Sequence, residues 1–261
     1  MMKTKSICKL LFVFGSMVLI TSCSNDDKDV VVEEQELSQT EVKTILESDT
    51  YAKSFDTIIS SVYQNKGNSG KTNECYVAEY TDSGFTIEFD NCTVEGTSNV
   101  TGTLSAVYTS TSETISYTAT WTDFNFGGTL LNGTRSYTIS SDTDNSINFS
   151  ATSDFSATLA DGSIITEKGT KEIGITFGSS LETSIYTLDG SWTVTADGLT
   201  YVVTVDDTIE GNLACSYLNE GSMTVEKSGL LVEVDFGDGE CDDKATVTYP
   251  NGDTEEISLR D

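Results

Sequence analysis

The sequence predicts an all-β protein: an antiparallel meander that forms a sandwich or an incomplete barrel, preceded by one short N-terminal helical segment. Three observations predict it. From about residue 73 onward, segments rich in Thr, Val, Ile, Tyr and Phe alternate with the dipeptides Ser83-Gly84, Asn132-Gly133, Asp161-Gly162, Asp197-Gly198, Ser228-Gly229 and Asn251-Gly252. Such pairs supply the positive φ that tight hairpins need. Within the segments apolar and hydroxylic residues alternate, as in Ile115, Tyr117, Ala119 and Trp121 against Ser116, Thr118, Thr120 and Thr122, so one face is buried and the other wet. Of the 261 residues, 71 are Ser or Thr, the composition of solvated faces on half-exposed sheets.

Composition also excludes functions. There are 42 acidic residues against 14 basic ones, a formal charge of -28. Nucleic-acid binding needs clustered Lys and Arg and is excluded. The chain has no His, which removes Ser-His-Asp and Cys-His nucleophile activation and His-ligated zinc. A hydrophobic fraction of 37% with 11 Tyr and 11 Phe is enough to build a core.

Residues 1–22 read as a secretion signal. Lys3, Lys5 and Lys9 precede an apolar run of about 11 residues, Leu10 to Ile20, well short of the roughly 20 that a membrane-spanning helix requires. The next residues, Ile20-Thr21-Ser22-Cys23, resemble the bacterial lipobox. That resemblance implies lipidation, by palmitate-type acyl chains, of Cys23 as the mature N-terminus, and two or more chains anchor a protein stably where one does not. Ser24-Asn25-Asp26-Asp27-Lys28-Asp29 resembles the acidic export tag of Bacteroidota surface lipoproteins, which implies an outer-membrane address at the cell surface. Residues 23–37 are expected to form a flexible acidic tether.

A helix is expected over residues 38–65. Ser38-Gln39-Thr40-Glu41 fits a capping box. Beyond it Val42, Ile45, Leu46, Ala52, Phe55, Ile58, Ile59 and Val62 recur at three- and four-residue spacing, with a break near Asp49-Thr50. The resulting apolar stripe is expected to pack on the sheet. Residues 65–70 form the linker into the β domain of residues 70–261.

Hairpin registers follow from the turns. A two-residue loop at Asp197-Gly198 sets Val194 opposite Tyr201 and Trp192 opposite Val203. A loop at Ser83-Gly84 sets Cys75 opposite Cys92 on a non-hydrogen-bonded pair, which a disulfide can span. It also puts Glu79 opposite Glu88, and gathers Tyr76, Ala78, Tyr80, Phe85, Ile87 and Phe89 on one face. A loop at Ser228-Gly229 pairs Val225 with Val232 and Met223 with Val234. Cys215 and Cys241 then face each other only with a one-residue bulge, expected at Gly237-Asp238-Gly239. With Cys8 in the signal and Cys23 acylated, these four cysteines admit three connectivities, including bridges between the hairpins. The runs Ser83 to Asp90 and Ser228 to Asp235 also look like two copies of one small module.

Residues 38–261 resemble a group of Bacteroidota outer-membrane lipoproteins of unknown function. The resemblance lies in Leu131-Asn132-Gly133-Thr134-Arg135, in Gly190-Ser191-Trp192-Thr193-Val194, and in the run Val234 to Asp242 (VDFGDGECD) with Ala245 to Thr248 and Asn251-Gly252. It implies an exported all-β lipoprotein and brings no substrate or catalytic residue.

Candidate sites are few. Asp235, Asp238, Glu240 and Asp242, with Asp243, crowd carboxylates among glycines as a calcium loop would; the alternative is an exposed acidic bulge. No other cofactor is expected. Trp121 and Trp192, with Tyr108, Tyr117 and Tyr137, suit a sugar-stacking platform or, by their alternation with Thr, a core. The expected function is a lipid-anchored cell-envelope protein, a non-enzymatic binding or structural module whose partners are the membrane, through Cys23, and a glycan or protein. A glycan-binding accessory, a carrier of apolar ligands and a carboxylate-based hydrolase are the alternatives.

Overall fold

The structure, a computed structural model, describes residues 36–46, 48, 75–94, 96–111, 114–140 and 145–260. The signal segment, Cys23, most of the tether, the second half of the expected helix, the linker and Asp142 to Asp144 lie outside the described residues.

Thirteen strands form one antiparallel sheet in which every strand pairs with its neighbours in sequence. They are β1 (Tyr76–Thr81), β2 (Gly84–Val94), β3 (Thr97–Ser110), β4 (Ile115–Phe126), β5 (Thr129–Ser140), β6 (Ser146–Thr158), β7 (Ile164–Thr176), β8 (Ile185–Ala196), β9 (Leu199–Asn212), β10 (Glu220–Lys227), β11 (Leu230–Asp238), β12 (Lys244–Thr248) and β13 (Thr254–Ser258). The sheet does not close into a barrel: β1 and β13 are its two edges. It does curl. Leu259, just past β13, lines the same cavity as Lys171 of β7, six strands away in the order.

The described helical residues are 39–46 and 48, here α1. Its start is the expected capping box. Glu41 N donates to Ser38 Oγ at 3.3 Å, and Ser38 N donates to Glu41 Oε2 at 2.8 Å. Leu37, Val42 and Ile45 are buried in the core, so the chain is already packed at the last residue of the expected tether.

Two of the hairpins form as expected. Ala196 pairs with Leu199 around Asp197 and Gly198, which hold φ of 52° and 77°. Lys227 pairs with Leu230 around Ser228 and Gly229 at 52° and 89°. Two other dipeptides behave differently. Asn132-Gly133 lies inside β5, and the turn falls earlier, at Gly127-Gly128. A Cβ on Gly133 would come within 2.3 Å of Asp154 O, so this glycine serves close strand approach. In the first hairpin Thr81 pairs with Gly84, so the loop is Asp82-Ser83 and the register moves by one residue on each strand. Gly84 again sits in a strand, where a Cβ would meet Ala106 O at 2.3 Å. Because both strands move together the buried face is unchanged, but Glu79 faces Thr86, and Glu88 faces Val77.

The buried face holds two clusters. One joins Phe85, Phe89, Trp121, Phe124 and Phe155 with Ile87, Leu104 and Leu131 of β2 to β6. Its rings meet edge-on, Phe89 against Phe124 at 5.6 Å and Trp121 against Phe155 at 6.4 Å. The other joins valines of β8 to β12, Ile209, Phe236 and Ile257 with Leu37, Val42 and Ile45. Each such side chain stabilises by about 1.5–3 kcal/mol on burial. The clusters meet at β5 to β7 across buried polar residues: Arg135, Ser153, Glu167 and Lys171.

The opposite face is hydroxylic. Thr118, Ser136, Thr152, Thr170, Ser191, Thr204 and Thr224 stand opposite one another across seven consecutive strands. Neighbours bond in pairs, Thr118 to Ser136 at 2.8 Å, Thr152 to Thr170 at 3.0 Å and Ser191 to Thr204 at 3.2 Å.

Candidate functional site: a cleft beside helix α1

Strand β7 turns Ile165, Glu167, Gly169, Lys171 and Ile173 to the buried side by the period of two. Long polar side chains fit there because glycines stand beside them. Gly169 faces Trp192, and Gly190 faces Lys171. A Cβ on Gly169 would lie 2.4 Å from Trp192 Cα, and one on Gly190 would lie 2.4 Å from Thr170 O.

The space is filled by an ion pair. Lys171 Nζ lies 2.9 Å from Glu167 Oε2, with the side chains 4% and 1% exposed, and 4.6 Å from the centre of the Trp192 ring. The hydroxyl of Ser48, from α1, lies 2.7 Å from the same carboxylate oxygen and 2.8 Å from Ile45 O, so its one proton serves one of the two. Glu167 Oε1 and Trp192 Nε1 are buried without a hydrogen-bond partner.

Above Lys171 and Trp192 opens a half-enclosed cleft of about 410 Å³, within the range of roughly 300–1,000 Å³ that small-molecule sites occupy. Its walls are largely apolar: Ile45 and Leu46 of α1, Leu188 of β8, Leu213 and Leu218 of the loop after β9, and Leu259. Cys215 and Ser216 border it. A second, more open cavity of about 420 Å³ lies around Gly133, Phe155 and Glu167.

Helix α1 is fixed over this region by Glu41. One carboxylate oxygen caps the helix; the other accepts from Tyr201 OH at 2.8 Å and lies 2.6 Å from Lys227 Nζ. Burial raises the pKa of Glu41, but Lys227, the Ser38 amide and the Tyr201 hydroxyl outweigh it and hold it at about 2. Burial and the Glu41 carboxylate push the Tyr201 hydroxyl upward. Tyr249 OH donates to Glu255 Oε2 at 3.1 Å and also lies 3.3 Å from Leu37 O. Burial and the Glu255 carboxylate push it to about 12.

Both disulfides form as expected, by different means from those read in the sequence. Cys75 and Cys92 have Cα atoms 5.2 Å apart. With the shifted register the ladder alone would set Cys75 against Asp90, whose amide donates to Cys75 O. A bulge at Asp90-Asn91, with Asn91 at φ 57°, carries Cys92 back alongside. Cys215 and Cys241, 5.7 Å apart at Cα, lie in the loops after β9 and β11. The irregularity between β10 and β11 adds a residue at Phe236-Gly237 opposite Gly221. The bridge therefore joins two loops, and one of them walls the cleft.

The other expected sites are corrected. Asp235 Oδ1 accepts from Gly237 N at 2.8 Å, and Asp242 Oδ1 accepts from Lys244 N at 3.0 Å. Asp243 Oδ2 accepts from Ser258 Oγ at 2.7 Å, which lowers its pKa. These are local turns of the acidic loop. Among the described residues no three carboxylates or thiols converge on a metal-sized site, so Asp235, Asp238, Glu240 and Asp242 form no calcium cage. Trp121 and Trp192 are only 1% and 3% exposed, which removes them as an exposed sugar platform. Tyr117 and Tyr137 stack at 4.7 Å, with Tyr137 buried.

Sequence reading passed over Glu167 and Lys171. Their parity with Ile165 and Ile173 was the available signal, since a charged residue in phase with a buried face has to be paired there. No family model, curated protein or solved structure matches this chain.

Proposed function

We propose that the protein is a lipid-anchored cell-envelope protein, held to the outer membrane through Cys23, and that it is a non-enzymatic binding module whose ligand site is the cleft beside helix α1. The observation that carries the binding assignment is a cleft of about 410 Å³ whose largely apolar walls, with Asn212, Ser216 and Tyr217 among them, include two buried residues with polar groups, Lys171 and Trp192. Such a concave apolar site with few polar groups is the common form of a ligand pocket. Catalysis is the weaker reading, because Lys171 Nζ is already engaged by Glu167 Oε2 at 2.9 Å with both side chains buried, which leaves it poorly placed to attack a substrate. The burial of both tryptophans weighs against the glycan platform.

Two experiments test the reading. Metabolic palmitate labelling is expected to mark the wild-type chain and not Cys23→Ser, and globomycin is expected to accumulate the precursor. Unlabelled wild-type protein would refute the anchor. Protease digestion of intact cells is expected to degrade the protein, and survival of the whole population would refute surface display.

A further inference from the structure

We infer that the cleft takes an uncharged, largely apolar molecule bearing one oxygen acceptor at its buried end, such as a medium-chain ketone, ester or alcohol. This rests on reading the protein as a binding module. The walls formed by Leu188, Leu213, Leu218 and Leu259 gain from an aliphatic body, and the polar residues Asn212, Ser216 and Tyr217 occupy only part of the lining. The floor selects the head group by charge. Lys171 is neutralised by Glu167 and covered by the Trp192 ring, so the pair has no net charge to offer. An anionic head would bring an uncompensated charge into a buried site of a chain with formal charge -28. A cationic head would meet the Lys171 ammonium.

Hydrogen bonding selects the acceptor. The Nε1–H of Trp192 is buried without a partner, and Trp192 is one of the residues that line the cleft; an unsatisfied buried donor is costly until a ligand supplies an acceptor. The wall is also held in place beforehand. Leu213 and Leu218 flank Cys215, whose bridge to Cys241 restrains the loop between β9 and β10 and reduces the ordering required on binding.

The test uses the full chain carrying Cys23→Ser, so that acylation is not a variable. The chain has two Trp, and Trp121 belongs to the other core cluster, so two indole N–H resonances are expected and Trp121→Phe assigns them. Decan-2-one is expected to shift the Trp192 resonance saturably and to leave that of Trp121 in place. Decane and decanoate are each expected to bind about tenfold more weakly or worse. Gly211 lines the cleft with room for a side chain, its nearest neighbour at 3.5 Å. Gly211→Leu is therefore expected to weaken decan-2-one binding by about tenfold or more with an unchanged far-ultraviolet spectrum. An unmoved Trp192 resonance, decanoate binding as tightly as the ketone, or binding indifferent to a folded Gly211→Leu chain would each overturn the inference. If Gly211→Leu does not fold, Leu213→Phe narrows the same cleft and is read in the same way. Ketone binding in a chain that palmitate never labels would refute the anchor alone. Labelling without ketone binding would refute this inference alone.

Discussion

The two halves of the sheet fill their buried faces differently. Strands β2 to β6 do it with rings: Phe85, Phe89, Trp121, Phe124 and Phe155 span the space from the strands themselves. Strands β8 to β12 mix valines and other aliphatic residues with the buried rings of Trp192, Tyr201 and Phe236, and Leu37, Val42 and Ile45 of α1 complete the packing. The disulfides follow the same division. Cys75–Cys92 ties strand β2 to the residue before β1, whereas Cys215–Cys241 ties two loops. The half filled from its own strands leaves the more open cavity around Gly133 and Phe155, whereas the one filled by a separate helix has a seam where helix and sheet part. The cleft lies on that seam.

The largest effect is expected where the halves meet. Lys171→Met or Glu167→Leu alone leaves a buried charge without its partner and is expected to cost about 3–5 kcal/mol in urea unfolding. The double variant is expected to recover most of that loss. A double variant as unstable as the sum of the singles would show that the pair is not coupled. Gly133→Ala, of a size with replacement of the Cys215–Cys241 bridge, forces a Cβ against Asp154 O at φ 127°. It is expected to cost about 2–3 kcal/mol and to perturb the aromatic half first, as read by near-ultraviolet dichroism.

Replacing Cys215 and Cys241 by Ser is expected to cost about 3 kcal/mol through loop entropy. Hydrogen exchange is expected to quicken in residues 213–219 while the ladder of β1 and β2 keeps its protection. Uniform loosening would contradict the division between the halves. The smallest effect distinguishes the helix. Glu41 is held at about 2, below its unfolded value of roughly 4.3, so its contribution is fully present above that value. It is lost as pH falls from about 4 towards 2. Exchange protection of residues 39–46 is expected to fall in that window, and Glu41→Gln is expected to remove the pH dependence. Ser38→Ala is expected to cost about 1 kcal/mol at neutral pH.

How much of this was legible in the sequence depended on whether a local rule had a rival. Asp197-Gly198 and Ser228-Gly229 lie between strands whose apolar residues match in register, so turn chemistry and pattern agree. Gly84 and Gly133 look the same in sequence, yet they serve contacts with β3 and β6 that no local rule contains. The buried face of the first hairpin survived the misplaced turn because a shift of one residue on both strands preserves parity. The pairing of Cys75 with Cys92 was right through a compensation, since the bulge at Asn91 restored what the shifted register removed. The cleft was the least legible feature. It needs Leu259, Lys171 and Ile45 to converge, and alternation along a strand says nothing of how far a sheet curls.

The file of Ser and Thr across seven strands bears on how copies of this molecule meet. Its hydroxyls already satisfy one another sideways, and the remaining valences belong to solvent. Pressing two such faces together would strip water from both and gain little apolar burial in return. The hydroxyl file itself is therefore a hydrated strip, and it offers less to a second copy than the exposed Val107, Val202 and Leu231 on the same flank.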